Sequence, residues 1–201
     1  MNHKRTTLLW TILLGSGLVI TPAKASFIMT FAQSGSNVVG TGSGTIDLFA
    51  LTSANFVGTE PAVSGPQGFA ALGPEATTAA FTAVSGPSSF GSSGFFAAST
   101  GSGDTVGISV SGVISDVLFL PDNYVSGASL SDSATWDNAT IASLGLTPGT
   151  YTWTWGSGAS ADSFTVQIDA STPEPGSVAL LGAGFVGLAV LRRRKNKALR
   201  P

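Results

Sequence analysis

Thr147-Pro148-Gly149-Thr150-Tyr151-Thr152-Trp153-Thr154-Trp155-Gly156, followed after a short linker by Asp162-Ser163-Phe164-Thr165-Val166-Gln167-Ile168, is the stretch that decides the fold. Thr-Pro-Gly is turn chemistry. From Thr150 the chain alternates strictly. Tyr151, Trp153 and Trp155 fall on one face and Thr150, Thr152 and Thr154 on the other, the period of two that marks a half-buried strand. Phe164, Val166 and Ile168 repeat the pattern, so the two segments are expected to pair across the loop Gly156–Ala161 and to turn their apolar faces to one core.

The rest of the central region extends this β reading. Ser26–Gln33 reads as a strand with Phe27, Met29 and Phe31 on one face. Asn37–Leu51 reads as a second, with Gly40, Gly42 and Gly44 inside it, where glycine marks a bulge or close sheet packing. The string Gly40-Thr41-Gly42-Ser43-Gly44 lacks the following helix, the lysine and the spacing of a phosphate loop. Residues 60–105 read as looser. An eight-residue pattern recurs there: Ala62-Val63-Ser64-Gly65-Pro66-Gln67-Gly68-Phe69 returns as Ala83-Val84-Ser85-Gly86-Pro87-Ser88-Ser89-Phe90. Two copies are too few for a solenoid. They suggest turn-plus-strand units whose Phe69 and Phe90 anchor loops to the core. Gly94–Thr100 and Thr105–Val110 are strand candidates joined by a hairpin turn at Gly101-Ser102-Gly103-Asp104, and Val113–Leu120 a further strand stopped by Pro121. No segment sustains a helical period. The expectation is all-β, an antiparallel β-sandwich-like body over 26–170.

Charge is partitioned sharply. Of nine Lys and Arg, Lys4, Arg5 and Lys24 lie at the start, and Arg192, Arg193, Arg194, Lys195, Lys197 and Arg200 at the end. From Ser26 to Pro175 there is none, while all eleven Asp and Glu fall in that span, so it carries −11 against −2 for the whole chain. Nucleic acid is excluded as a partner, because neutralising phosphate needs Lys and Arg. With no Cys, and with the one His at His3, the body has no thiolate, no Ser-His-Asp triad and no histidine metal ligand. No metal site and no cofactor is expected, beyond diffuse attraction of divalent cations to the acids. A two-carboxylate glycoside hydrolysis survives this filter, but nothing singles out a pair, and turn Asp accounts for the acids more simply. The body is read as non-enzymatic.

The two ends read as addresses. Lys4-Arg5, the apolar run Leu8–Ile20 and Ala23-Lys24-Ala25 before Ser26 follow the three-part plan of a secretory signal peptide over 1–25, cleaved after Ala25. At the other end, over 171–201, Pro173-Glu174-Pro175 fixes an extended path. The uncharged run Ser177–Leu191 follows, and as a helix its 15 residues span roughly 22 Å, a short crossing of a hydrocarbon core about 30 Å thick. Ala179, Ala183 and Gly187 lie four apart, a spacing that lets helices approach closely. Arg192-Arg193-Arg194 would hold the tail on the cytoplasmic side of a single transmembrane helix.

This ending resembles the PEP-CTERM sorting signal of Gram-negative bacteria: Pro173-Glu174-Pro175, Leu180, Gly184, an apolar helix and a triple arginine, in order, with Thr172 where the family often has Val. The resemblance implies export, transient retention in the inner membrane, and recognition and trimming by a membrane-embedded cysteine protease of the exosortase type. It implies delivery to the cell surface or matrix. The role expected there is structural or adhesive, in envelope or biofilm, with a carboxylate-only glycoside hydrolase as a further alternative. The block Leu118–Ile168 also resembles one that recurs before this signal in many such proteins, and implies no activity. In a protein of this kind Trp136, Tyr151, Trp153 and Trp155 offer rings that stack on sugars, giving a second reading as an exopolysaccharide-binding module. The polar Thr face behind the row favours the core for these rings instead.

Overall fold

The computed structural model describes residues 26–110 and 116–170. The signal peptide with Ala23 and Ala25, the Pro173-Glu174-Pro175 motif, the transmembrane helix expected over 177–191 and the arginine cluster all lie outside them. Thirteen strands form in chain order: β1 (Phe27–Ser34), β2 (Asn37–Thr45), β3 (Thr52–Thr59), β4 (Ala62–Ser64), β5 (Phe69–Leu72), β6 (Ala76–Thr82), β7 (Phe96–Ala97), β8 (Thr100–Gly103), β9 (Val106–Ser109), β10 (Val117–Pro121), β11 (Ser129–Trp136), β12 (Gly149–Trp155) and β13 (Asp162–Ile168). Among the described residues there is no α-helix, only a 3-10 turn at Gly158–Ser160. The body is all-β, as expected.

The strands make two sheets, in the orders β12-β13-β1-β2-β11-β8 and β3-β6-β10-β9-β5-β4-β7. Each inner face is apolar, and together they enclose one core, a sandwich-like arrangement. The pair β12/β13 forms as its alternation dictates: Trp153 lies opposite Phe164 and Tyr151 opposite Val166. Trp153, Trp155, Phe164, Val166 and Ile168 are buried, while the Thr face of β12 is exposed. Burying rings and branched chains of this size stabilises by about 1.5–3 kcal/mol each. One pairing is parallel. β1 lies beside β13, Phe27 opposite Phe164 and Phe31 opposite Ile168, so the first and last strands of the body run the same way in the middle of one sheet.

The glycines of β2 have a packing cause. Its inward positions are Val38, Gly40, Gly42 and Gly44. A Cβ on Gly40 would come within 2.6 Å of Leu72 Cδ2 and 3.2 Å of the Phe31 ring. One on Gly42 would come within 2.7 Å of Phe27 Cζ. The strand supplies a trough into which neighbouring rings lean, which is the close-packing reading of strand glycine.

Four expectations are corrected. The second strand stops at Thr45, and Ile46–Leu51 continues as a connection. Residues 60–105 hold five strands, β4 to β8, joined by longer connections; β4 and β5 are so completely buried, Ala62-Val63-Ser64 and Ala70-Ala71-Leu72, that no alternation advertises them. Gly101-Ser102-Gly103 is not a hairpin turn. It is β8, paired with β11, while β9 belongs to the other sheet, so the chain crosses between sheets at Asp104-Thr105. Gly101 is needed there because a Cβ would collide with the carbonyl oxygen of Gly73. The repeated octapeptide adopts two structures. The first copy is the hairpin β4/β5, and the second is a loop in which Ser85 bridges to Thr154. Phe90 enters the core, but Phe69 turns to the outer face.

Candidate functional site

Of the four rings offered for sugar stacking, the three tryptophans do not reach solvent. Trp136, Trp153 and Trp155 are 3%, 0% and 4% exposed. The indole N–H of Trp136 donates to Phe96 O at 2.9 Å and that of Trp155 to Asp47 O at 2.9 Å. Trp153 Nε1 has no partner among the described residues, and its ring meets Phe90 and Phe164 edge-on. Half-buried Tyr151 packs on Phe90 and donates its hydroxyl to Thr147 O at 3.0 Å. These rings close the core, and their polar ends tie loops to it. None presents a free face to a glycan. The tryptophans take the core reading that the threonine face favoured, and the cause is simple: the face opposite the threonines is the one the second sheet covers.

A different aromatic surface is exposed. On the outer face of the second sheet, Phe69 (β5), Phe95 (before β7) and Phe119 (β10) line a groove of about 450 Å³. Phe69 and Phe95 have centroids 5.6 Å apart and Phe69 and Phe119 6.3 Å, all tilted. Phe95 is 50% exposed, and Phe56 on the neighbouring edge strand β3 is 63% exposed. Asn55, Thr59, Thr82, Ser109 and Glu60 add polar groups to the rim. The groove offers aromatic contact with a few hydrogen-bonding groups and one acid. The sequence reading missed it, because β3 carries no alternation and Phe69 was assigned to the core.

The acids separate into partnered and unpartnered ones. Asp162 is buried, yet its Oδ2 accepts from Asp47 N–H and its Oδ1 from Ser163 N–H, each at 2.6 Å. Burial raises its pKa, and these backbone donors oppose the rise. Asp132, on β11, is 5% exposed, and neither carboxyl oxygen has a hydrogen-bond partner among the described residues. Burial pushes it up to about 8, the charge of Asp104 adds to this, and the Gly42 main chain, close by but short of hydrogen-bonding geometry, pulls the other way. Asp132 belongs to the inward series Leu130-x-Asp132-x-Ala134-x-Trp136, a signal readable in the sequence that its grouping with turn acids obscured.

Of the processing residues, only Ser26 lies within the described residues. It leads directly into β1, and its carbonyl accepts from Thr45 N–H at 3.2 Å. No curated protein and no solved structure matches the chain. Residues 171–195 match the PEP-CTERM protein-sorting motif. The chain therefore carries, directly after β13, a PEP-CTERM sorting motif, which implies export, membrane-anchored sorting and processing by exosortase, a membrane protein.

Proposed function

We propose that the chain is a non-enzymatic protein of the cell surface or extracellular matrix, with a structural or adhesive role in envelope or biofilm. On this reading it is made with a signal peptide over 1–25 and held in the inner membrane by its tail until trimming. The observation that carries the reading is the union of a sorting motif with a sandwich whose sequence span, 26–170, has ten carboxylates and no Cys, His, Lys or Arg. Such a body is soluble through its own charge and short of nucleophile–base chemistry. The intact mass of protein recovered outside the cell tests it. Loss of residues 1–25 and of the tail near Pro173 is expected, and full-length protein in the cytosol would overturn it.

A second reading, binding of a neutral extracellular polysaccharide, is favoured by the phenylalanine groove, an exposed aromatic surface on a body whose tryptophans are all buried. Retention of the protein on an immobilised exopolysaccharide, lost on Phe95→Ala, tests it.

A further inference from the structure

β1 lies between β13 and β2, and an acid is stretched across its beginning. Asp162 opens β13. Its side chain reaches past the start of β1 to the segment that continues β2, where Oδ2 accepts from Asp47 N–H at 2.6 Å. Ser26 sits between the two. It precedes Phe27, which lies opposite Phe164 of β13, and its carbonyl accepts from Thr45 N–H on the β2 side at 3.2 Å. Ser26 and Asp162 line one recess of about 320 Å³, with Thr154, Trp155 and Ser163. The carboxylate is fixed there, because Asp47 is itself held twice: its N–H donates to Asp162, and its carbonyl accepts from the Trp155 indole at 2.9 Å.

Asp162 is 5% exposed and accepts from two backbone donors. A carboxylate has about four lone-pair sites, and a buried one is costly unless a cation meets it. Residues 26–170 contain no Lys, Arg or His to do so. Cleavage after Ala25 supplies one. The new α-amino group belongs to Ser26, is largely protonated at neutral pH, and begins the strand that the carboxylate crosses. The other titratable groups at this rim have partners of their own. Asp47 Oδ1 accepts from Phe49 N–H and the Ser126 hydroxyl at 3.0 Å each, and the Tyr124 hydroxyl bonds the carbonyls of Ile46 and Ala128 at 3.1 and 2.8 Å. We propose that Asp162 is the seat of the amino terminus that processing creates, so that removal of the leader closes an ion pair tying β1 to β13 and stabilises the body. The proposal rests on cleavage after Ala25.

The test uses residues 26–201 in detergent, made behind a tag whose proteolytic removal leaves Ser26 first. This chain is expected to unfold about 2–4 °C above the tagged one. It should exceed by as much a chain beginning at Ala25, which keeps the terminal charge but moves it by a residue. Asp162→Asn is expected to erase both differences. Acylation of amines gives a second measurement, since the other amines of this chain are Lys195 and Lys197. Relative to these, the Ser26 amine should react about tenfold more slowly in the folded protein than in urea, and the Ala25 amine should not. Should Asp162→Asn fail to fold, the Ala25 chain and the labelling decide. The proposal is overturned if the Ser26 chain gains nothing over the tagged and Ala25 chains, if the gain survives in Asp162→Asn, or if its amine reacts as fast folded as unfolded. Because the terminus is made in vitro, such a failure leaves cleavage after Ala25 standing. A mature protein whose intact mass begins at another residue overturns that cleavage, and the proposal with it.

Discussion

Phe27 and Phe164 stack with ring centroids 5.4 Å apart and planes 12° from parallel, directly opposite each other where the first strand of the body meets the last. Both rings are fully buried. The contact joins positions that are remote in the chain, so the sheet cannot be completed until the end of the body is made. Phe164→Ala should cost about 3–5 kcal/mol, and Phe27→Ala a similar amount. Urea unfolding, followed by tryptophan emission, should show the midpoint fall in each. The double variant should cost less than the sum, because the two rings share one contact.

The trough of β2 predicts intolerance of even one carbon. Gly42→Ala places a Cβ against Phe27 and Asp132, and the overpacking should destabilise by about 1–3 kcal/mol. Gly58→Ala, at a position with nothing within 4 Å, is the control. Its midpoint in the same urea titration should stay within about 0.5 kcal/mol of wild type.

The buried Asp132 carboxyl makes the protein sensitive to alkali. Its pKa in the folded protein is about 8, above the ordinary 3.8, so between these values the folded state holds a proton that the unfolded chain releases. Stability should therefore fall as pH rises from about 4 to about 8 and level off above, with a slope of up to about 1.4 kcal/mol per pH unit. Asp162 and Asp116, also raised by burial, push in the same direction. Asp132→Asn should remove the largest part of the slope. Urea midpoints measured across this range check it.

The burial of Trp136, Trp153 and Trp155 predicts an emission that aqueous quenchers scarcely reach and that added exopolysaccharide leaves unchanged. Any glycan binding should appear instead as altered retention on immobilised polysaccharide. Phe119→Ala or Phe95→Ala should weaken it by about tenfold, the loss of one aromatic anchor, with tryptophan emission intact.

The sorting motif predicts that processing depends on residues outside the sandwich. Replacing Pro173 and Pro175 with Ala, or Arg192, Arg193 and Arg194 with Gln, should leave unprocessed protein in the membrane fraction. Immunoblotting of membrane and external fractions reads the change in size and place.

What could be read from sequence followed how openly each segment shows one face to water. Tyr151, Trp153 and Trp155 alternate with exposed threonines, so their strand, its partner and their place in the core were all legible. Ala70-Ala71-Leu72 is covered on both faces and short, and its period vanished. Phe69 and Phe90 sit in the same octapeptide yet face opposite ways, because the first copy becomes a hairpin at the outer sheet and the second a loop pinned to Thr154; local chemistry alone does not distinguish them. Gly101 and Gly103 look like a turn, but the approach of the Gly73 carbonyl is a tertiary fact. Asp132 was hidden by a sound prior, that an unpaired acid is seldom buried, although its neighbours Leu130 and Ala134 show its direction.

The parallel run of β1 and β13 gives the sandwich a top and a bottom. Ser26 opens one rim, and Ala170 leaves from the other, about 25 Å away along strands of this length. A body tethered through its carboxyl end would therefore turn the rim that carries Ser26 away from the tether, so a tag or a crosslinker attached at Ser26 would report on whatever the molecule meets beyond its anchor.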